Sequence, residues 1–135
     1  MRSVDDIERY MSQNGIPHQS LGDGLFVVTD EGSGLHQLAI KVEPPVVVFR
    51  LRVLTVPPAG NSHREHLFEQ LLRLNGGGML HAAFCIQNEA VYLTAALPLE
   101  NLDANELQAV IDDIGLAISQ HVPRLDVAKP TGTEA

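Results

Sequence analysis

The sequence predicts an α+β domain: an antiparallel sheet of about five strands packed by three helices, in the order α-β-β-β-α-β-β-α. Three observations predict it. Apolar residues recur at helical spacing in three segments, near residues 4–14, 62–75 and 104–121. Between them lie short β-prone runs in which apolar and polar residues alternate. Those runs are separated by tight Gly- and Pro-rich turns, which join neighbouring strands antiparallel.

The first helix is predicted over Val4 to Asn14, with Ser3 as N-cap and Asp5 and Asp6 in the first turn, where the helix dipole favours negative charge. Val4, Ile7, Tyr10 and Met11 form its stripe, and Gly15 and Pro17 stop it. Leu25 to Thr29 reads as a short strand between the turns Gly22-Asp23-Gly24 and Asp30-Glu31-Gly32-Ser33-Gly34. Leu35 to Glu43 alternates, with Leu38, Ile40 and Val42 on one face and Gln37 and Lys41 on the other. Pro44-Pro45 breaks the ladder, because proline donates no hydrogen bond. In Val46 to Val56, Val47, Phe49, Leu51 and Val53 are predicted to face the core and Arg50 and Arg52 to face out, as in a sheet with one wet face.

Ser62 and Glu65 suggest a capping box for the second helix, which carries Leu67, Phe68, Leu71, Leu72 and Leu74 before Asn75-Gly76-Gly77-Gly78 ends it. Met79 to Gln87 and Ala90 to Leu97 read as a hairpin turning at Asn88-Glu89. Asp103 and Glu106 cap a third helix from Ala104 to His121, whose stripe is Leu107, Val110, Ile111, Ile114, Ala117 and Ile118. Residues 1–122 are expected to form one domain and 123–135 a disordered C-terminal tail, of which the stretch from Ala128 onward has little apolar mass to bury and is expected to be dispensable for folding.

Charge narrows the function classes. Among 135 residues, 17 acidic against 9 basic side chains give a net charge of -8. Nucleic acid and anionic membrane surfaces select for clustered Lys and Arg, so neither is an expected partner. The N-terminus lacks the apolar run of a signal peptide, and no stretch approaches the roughly 18 apolar residues of a membrane span, so a cytoplasmic location is expected. Cys85 is the one cysteine, which excludes an intramolecular disulfide.

No residue pattern nominates a catalytic, cofactor or metal site. His63 and His66 sit three apart on the second helix and can face one way, but zinc needs a third or fourth ligand, and none stands at a suitable spacing. They read as solvated histidines on a helix end. Cys85 lies mid-strand with no cation or helix N-terminus to lower its pKa, so it reads as a packing residue. Gly76-Gly77-Gly78 follows a helix and precedes a strand, the reverse of a phosphate-binding loop. Asp112 and Asp113 read as solvated residues on the polar face of the third helix.

The second helix is the suggestive element. Its five apolar residues span roughly 160° of the circumference, more than the ~100° that covers a surface helix. The surplus predicts a second packing partner, with Leu67, Phe68, Leu71 and Leu72 as the dimer interface. Two function classes follow. One is a non-enzymatic module that binds a segment of another protein. The other is a small-ligand-binding protein or enzyme with a site assembled from scattered residues.

Several runs then carry a family likeness. Leu54-Thr55-Val56-Pro57, Leu71-Leu72-Arg73-Leu74-Asn75, Ala83-Phe84-Cys85-Ile86, Val91 to Leu99 and Leu102-Asp103 together resemble the YbjN-like family, which has the type III secretion chaperone-like fold. The likeness spans roughly residues 3 to 122, and its motifs are structural. It implies a small acidic homodimer in which the middle helix and adjacent strands build the interface, while apolar patches hold an unfolded stretch of a partner. Some YbjN-like members are described as sensory transduction regulators.

Overall fold

The computed structural model describes residues 1–127. The chain runs α1 (Val4–Gln13), β1 (His18–Gly22), β2 (Leu25–Asp30), β3 (Leu35–Glu43), β4 (Val46–Thr55), α2 (Ser62–Gly77), β5 (Ala83–Gln87), β6 (Ala90–Pro98) and α3 (Ala104–Gln120). Single 3-10 turns occupy Glu31–Ser33 and Val122–Arg124. The sheet has six antiparallel strands in the order β1-β2-β3-β4-β6-β5, one more than the sequence pattern predicts.

The additional strand is β1. Its residues His18-Gln19-Ser20-Leu21-Gly22 show no apolar alternation and lie largely exposed. Backbone pairing holds it against β2, with His18 opposite Val28 and Ser20 opposite Phe26. A strand stabilised by its ladder and not by side-chain burial leaves no periodic signal.

One face of the sheet is covered. Phe26, Ile40, Phe49 and Ala95 lie in register across four strands, all buried. Ile7, Tyr10 and Met11 of α1, Leu67 and Leu71 of α2, and the α3 stripe join them in a single cluster, so the helices share that face. Val53 falls at a bulge in β4 opposite β6, between Arg52 and Leu54, and is only half-buried where strict alternation expects a core residue.

Local chemistry sets the ends. Ser3 with Asp6 and Asp103 with Glu106 both form reciprocal capping boxes. The α2 cap differs from expectation: Asn61 accepts from the His63 N–H at 2.8 Å, and Ser62 is already helical. The β5–β6 turn places Asn88 and Glu89 at φ 51° and 61°, the left-handed pair whose twist suits a two-residue hairpin.

Two polar groups fix the segment between α2 and β5. The Asn75 side chain donates to the Phe84 carbonyl at 3.0 Å and accepts from its N–H at 2.7 Å, so one amide closes the α2 end onto the edge strand. This gives Asn75, in the last turn of α2, a physical role. Asp113, expected on a solvated face, is 8% exposed and accepts from the N–H groups of His81 and Ala82 at 2.8 Å, with Leu80 at 3.4 Å. Residues 79–82 are therefore turned toward α3, and β5 begins at Ala83, not Met79.

The chain beyond α3 is docked as far as Val127. Leu125 is 7% exposed within the core cluster. Gln70 of α2 donates to the Arg124 carbonyl at 3.1 Å and accepts from the Asp126 N–H at 2.7 Å. The ordered unit thus extends past residue 122, and the rest of the expected tail, 128–135, lies outside the described residues. Among the described residues no helix is long and apolar enough to cross a membrane.

Candidate functional site: the groove between α2 and β5

Rotation of α2 about its own axis divides its apolar residues. Leu67 and Leu71 point into the chain's own core, at 0% and 5% exposure. Phe68 is half-buried, and Leu72 is 72% exposed. Leu67 is thereby removed from any surface, a correction to the interface expected from the sequence. The outward share falls to Phe68 and Leu72.

On the neighbouring strand Phe84 is buried while Ile86, on the same face, is 46% exposed because the helix cover ends before it. Phe68, Leu71, Leu72, Asn75, Phe84, Cys85 and Ile86 line a groove of about 300 Å³. β5 is also the last strand of the sheet: among the described residues no strand pairs with its outer edge, where Asn75 takes the N–H and carbonyl of Phe84. An apolar groove beside an edge strand offers side-chain pockets, with main-chain hydrogen bonds at the edge positions that Asn75 does not take. Cys85 lies half-buried at its margin as a free thiol.

His63 and His66 are neither loose nor metal-like. Asp126 reaches back across α2, with Oδ1 at 2.6 Å from His63 Nδ1 and Oδ2 at 2.7 Å from His66 Nδ1. A carboxylate only accepts, so both imidazoles donate from Nδ1. The hydrogen bond from His66, then that from His63, holds the Asp126 carboxyl below its ordinary value. Among the described residues no three His, Cys, Asp or Glu side chains are arranged to hold a metal ion.

The clamp carries a pH prediction. A carboxyl with a depressed folded-state pKa contributes stability above its unfolded pKa of about 3.9, and that contribution is lost as pH falls through the lower folded value. Urea midpoints of the wild type and Asp126→Asn are expected to differ near neutrality and to converge below about pH 4. A gap that stays constant down to pH 2 would refute the assignment.

A cleft of about 580 Å³ lies where the end of α1 and the β2–β3 connection meet α3. Its polar side chains are paired among themselves or with backbone. Ser33 donates to Asp30 at 3.0 Å, Gln108 to Asp112 at 2.8 Å, and Asn14 to the Ala104 carbonyl at 2.9 Å.

The sequence matches the CesT_Tir_1 family model over residues 1–129. The chain belongs to the CesT_Tir_1 family, a family of type III secretion chaperones. Solved structures carry the same fold at low identity. A chain of the heterodimeric ExoU–SpcU complex of the Pseudomonas aeruginosa type III secretion system is 18% identical, with a TM-score of 0.68 over 89% of this chain and 98% of that one. E. coli YbjN is 12% identical, with a TM-score of 0.66 over 94% and 97%. A chain of the Yersinia pestis chaperone SycH in complex with a fragment of YscM2 is 15% identical, with a TM-score of 0.58 over 85% and 98%. No curated protein sequence matches the chain. The YbjN-like resemblance and the CesT_Tir_1 match thus converge on one fold, the type III secretion chaperone fold.

Proposed function

We propose that this CesT_Tir_1 member is a non-enzymatic, chaperone-like protein-binding module that works as a homodimer and holds a segment of another protein. The observation that carries the reading is the apolar surface of Phe68, Leu72 and Ile86 beside β5, the edge strand of the sheet. Left in water, it costs roughly 25 cal/mol per Å². A two-fold contact needs only one self-complementary patch, so pairing of α2 and β5 with a second copy removes that cost most simply. Family membership supports the reading, as do structural neighbours solved as complexes, including the HopA1–SchA chaperone–effector complex. The interface is centred on Phe68 and Leu72, with Leu71 contributing through the groove floor.

Light scattering on the purified chain at tens of micromolar is expected to give twice the chain mass of 14.7 kDa. Leu72→Asp is the sharper variant, because a side chain 72% exposed in one subunit bears little on that subunit's folding. It is expected to give a folded monomer, since each copy then brings a buried charge to the contact. Phe68→Asp is expected to dissociate the dimer as well, with some loss of stability. A monomeric wild type, or a Leu72→Asp chain that remains dimeric, overturns the proposed interface.

A further inference from the structure

The uncovered face of the sheet carries a charge opposite to that of the whole molecule. Lys41, Arg50 and Arg52 project from adjacent strands β3 and β4 on the face that the helices leave open. None of the three forms an ion pair among the described residues, in a chain where acids outnumber bases 17 to 9. By contrast, Arg9, Arg64 and Arg73 are each paired with a carboxylate. Glu43, at the end of β3, is the one acidic side chain that the strands place on this face.

The cations are held, not loose. The Arg50 guanidinium lies 4.6 Å from the centroid of the Tyr92 ring. Stacking fixes the plane and leaves its N–H edge free to donate. Arg52 stands opposite Tyr92 in the β4–β6 register and donates to Thr55 Oγ1 at 2.7 Å. Lys41 is anchored by the Asp23 carbonyl. Around them the register sets Val27, Ala39, Val48, Thr94 and Ala96, small side chains that make a shallow floor.

We propose that this outer sheet face docks an acidic segment of a partner protein, lying extended along β4. The proposal rests on the protein-binding reading above and adds the partner's chemistry. Arg50 and Arg52 are two residues apart on one strand, about 6.7 Å. An extended chain repeats its side chains on one side at the same spacing, so acidic residues at i and i+2 meet both guanidinium groups over the small side chains of the floor, while the residue between them points away from the sheet. Electrostatics at physiological salt acts over about 8 Å, so a bound segment feels these three cations more than the distant acidic helices. A nucleic acid, with continuous charge beyond the patch, is repelled by the rest of the molecule.

The test is fluorescence anisotropy with a labelled decapeptide alternating Glu and Val, the same peptide with Lys for Glu, and a labelled oligo-dT. The Glu peptide is expected to bind the wild type, to lose about tenfold in affinity to R50E/R52E, and to weaken with salt. R50Q/R52Q, which removes charge without reversing it, is expected to fall between, and it keeps the test valid if the reversed pair misfolds. Failure of the Glu peptide to saturate, equal binding to both proteins, or tighter binding of the Lys peptide or oligo-dT overturns the proposal. So does dissociation of the dimer by R50E/R52E, which makes the face a self-contact. A natural partner that binds wild type and R50E/R52E alike also sinks it, while leaving the protein-binding reading intact.

Discussion

Replacing Asp113 by alanine is expected to lower the stability of the fold by about 3 kcal/mol. The carboxylate accepts from the backbone of Leu80, His81 and Ala82, and its residue is 8% exposed. Hydrogen bonds to a charged group contribute about 1.5–3 kcal/mol each, and a buried donor left unpaired costs about 1–3 kcal/mol. The Ala82 contact is buried, so its N–H has least access to replacement water. Asp113→Asn retains one acceptor oxygen and is expected to lose about half as much. Urea unfolding of the three proteins measures the series. A loss under about 1 kcal/mol for Asp113→Ala would mean that water reaches these N–H groups and that the carboxylate is not what anchors the segment. The effect bears on the groove as well, because residues 79–82 lead directly into β5, whose face supplies Phe84 and Ile86.

The importance of Asp113 was not legible in the sequence, and the reason is geometric. Its neighbours Val110, Ile111 and Ile114 announce a helix stripe through local periodicity, and Asp103 and Glu106 announce its start through a fixed spacing. Whether an acid at the stripe's border meets water or backbone depends on a segment more than thirty residues away. The clamp between Asp126 and the two α2 histidines is the same kind of contact. The helical wheel of α2 correctly showed more apolar surface than one sheet contact uses. It did not show which leucines face inward, because that choice is made by the position of β5 and by the Asn75–Phe84 bonds. Val53 illustrates a third limit: the bulge beside it is a property of pairing with β6 and leaves no mark in strand alternation. Helix ends, tight turns and strand alternation are encoded within a few residues. Long-range polar contacts and helix rotation are encoded in the assembled sheet.

Phe49 and Val48 are adjacent on β4 and face opposite sides of the sheet, so their truncations are expected to differ several-fold in cost. Phe49 is fully buried, opposite Ile40 on one side and Ala95 on the other. Phe49→Ala is expected to cost about 4 kcal/mol, through lost burial and an incompletely collapsed cavity. Val48 is half-buried opposite Lys41 and Ala96 on the uncovered face, and Val48→Ala is expected to cost under about 1 kcal/mol. Denaturant unfolding at low protein concentration measures both, and equal m-values confirm that the comparison is of native-state losses. The contrast also tests which surface is free. A Val48→Ala cost approaching that of Phe49→Ala would mean that the outer face is packed in the isolated protein, by a second copy or by residues 128–135. Lys41, Arg50 and Arg52 would then not be accessible to a partner. A small Val48 cost that grows in the presence of the Glu-Val peptide would instead place that peptide on this face, because only an occupant in contact with the Val48 methyls makes their removal expensive.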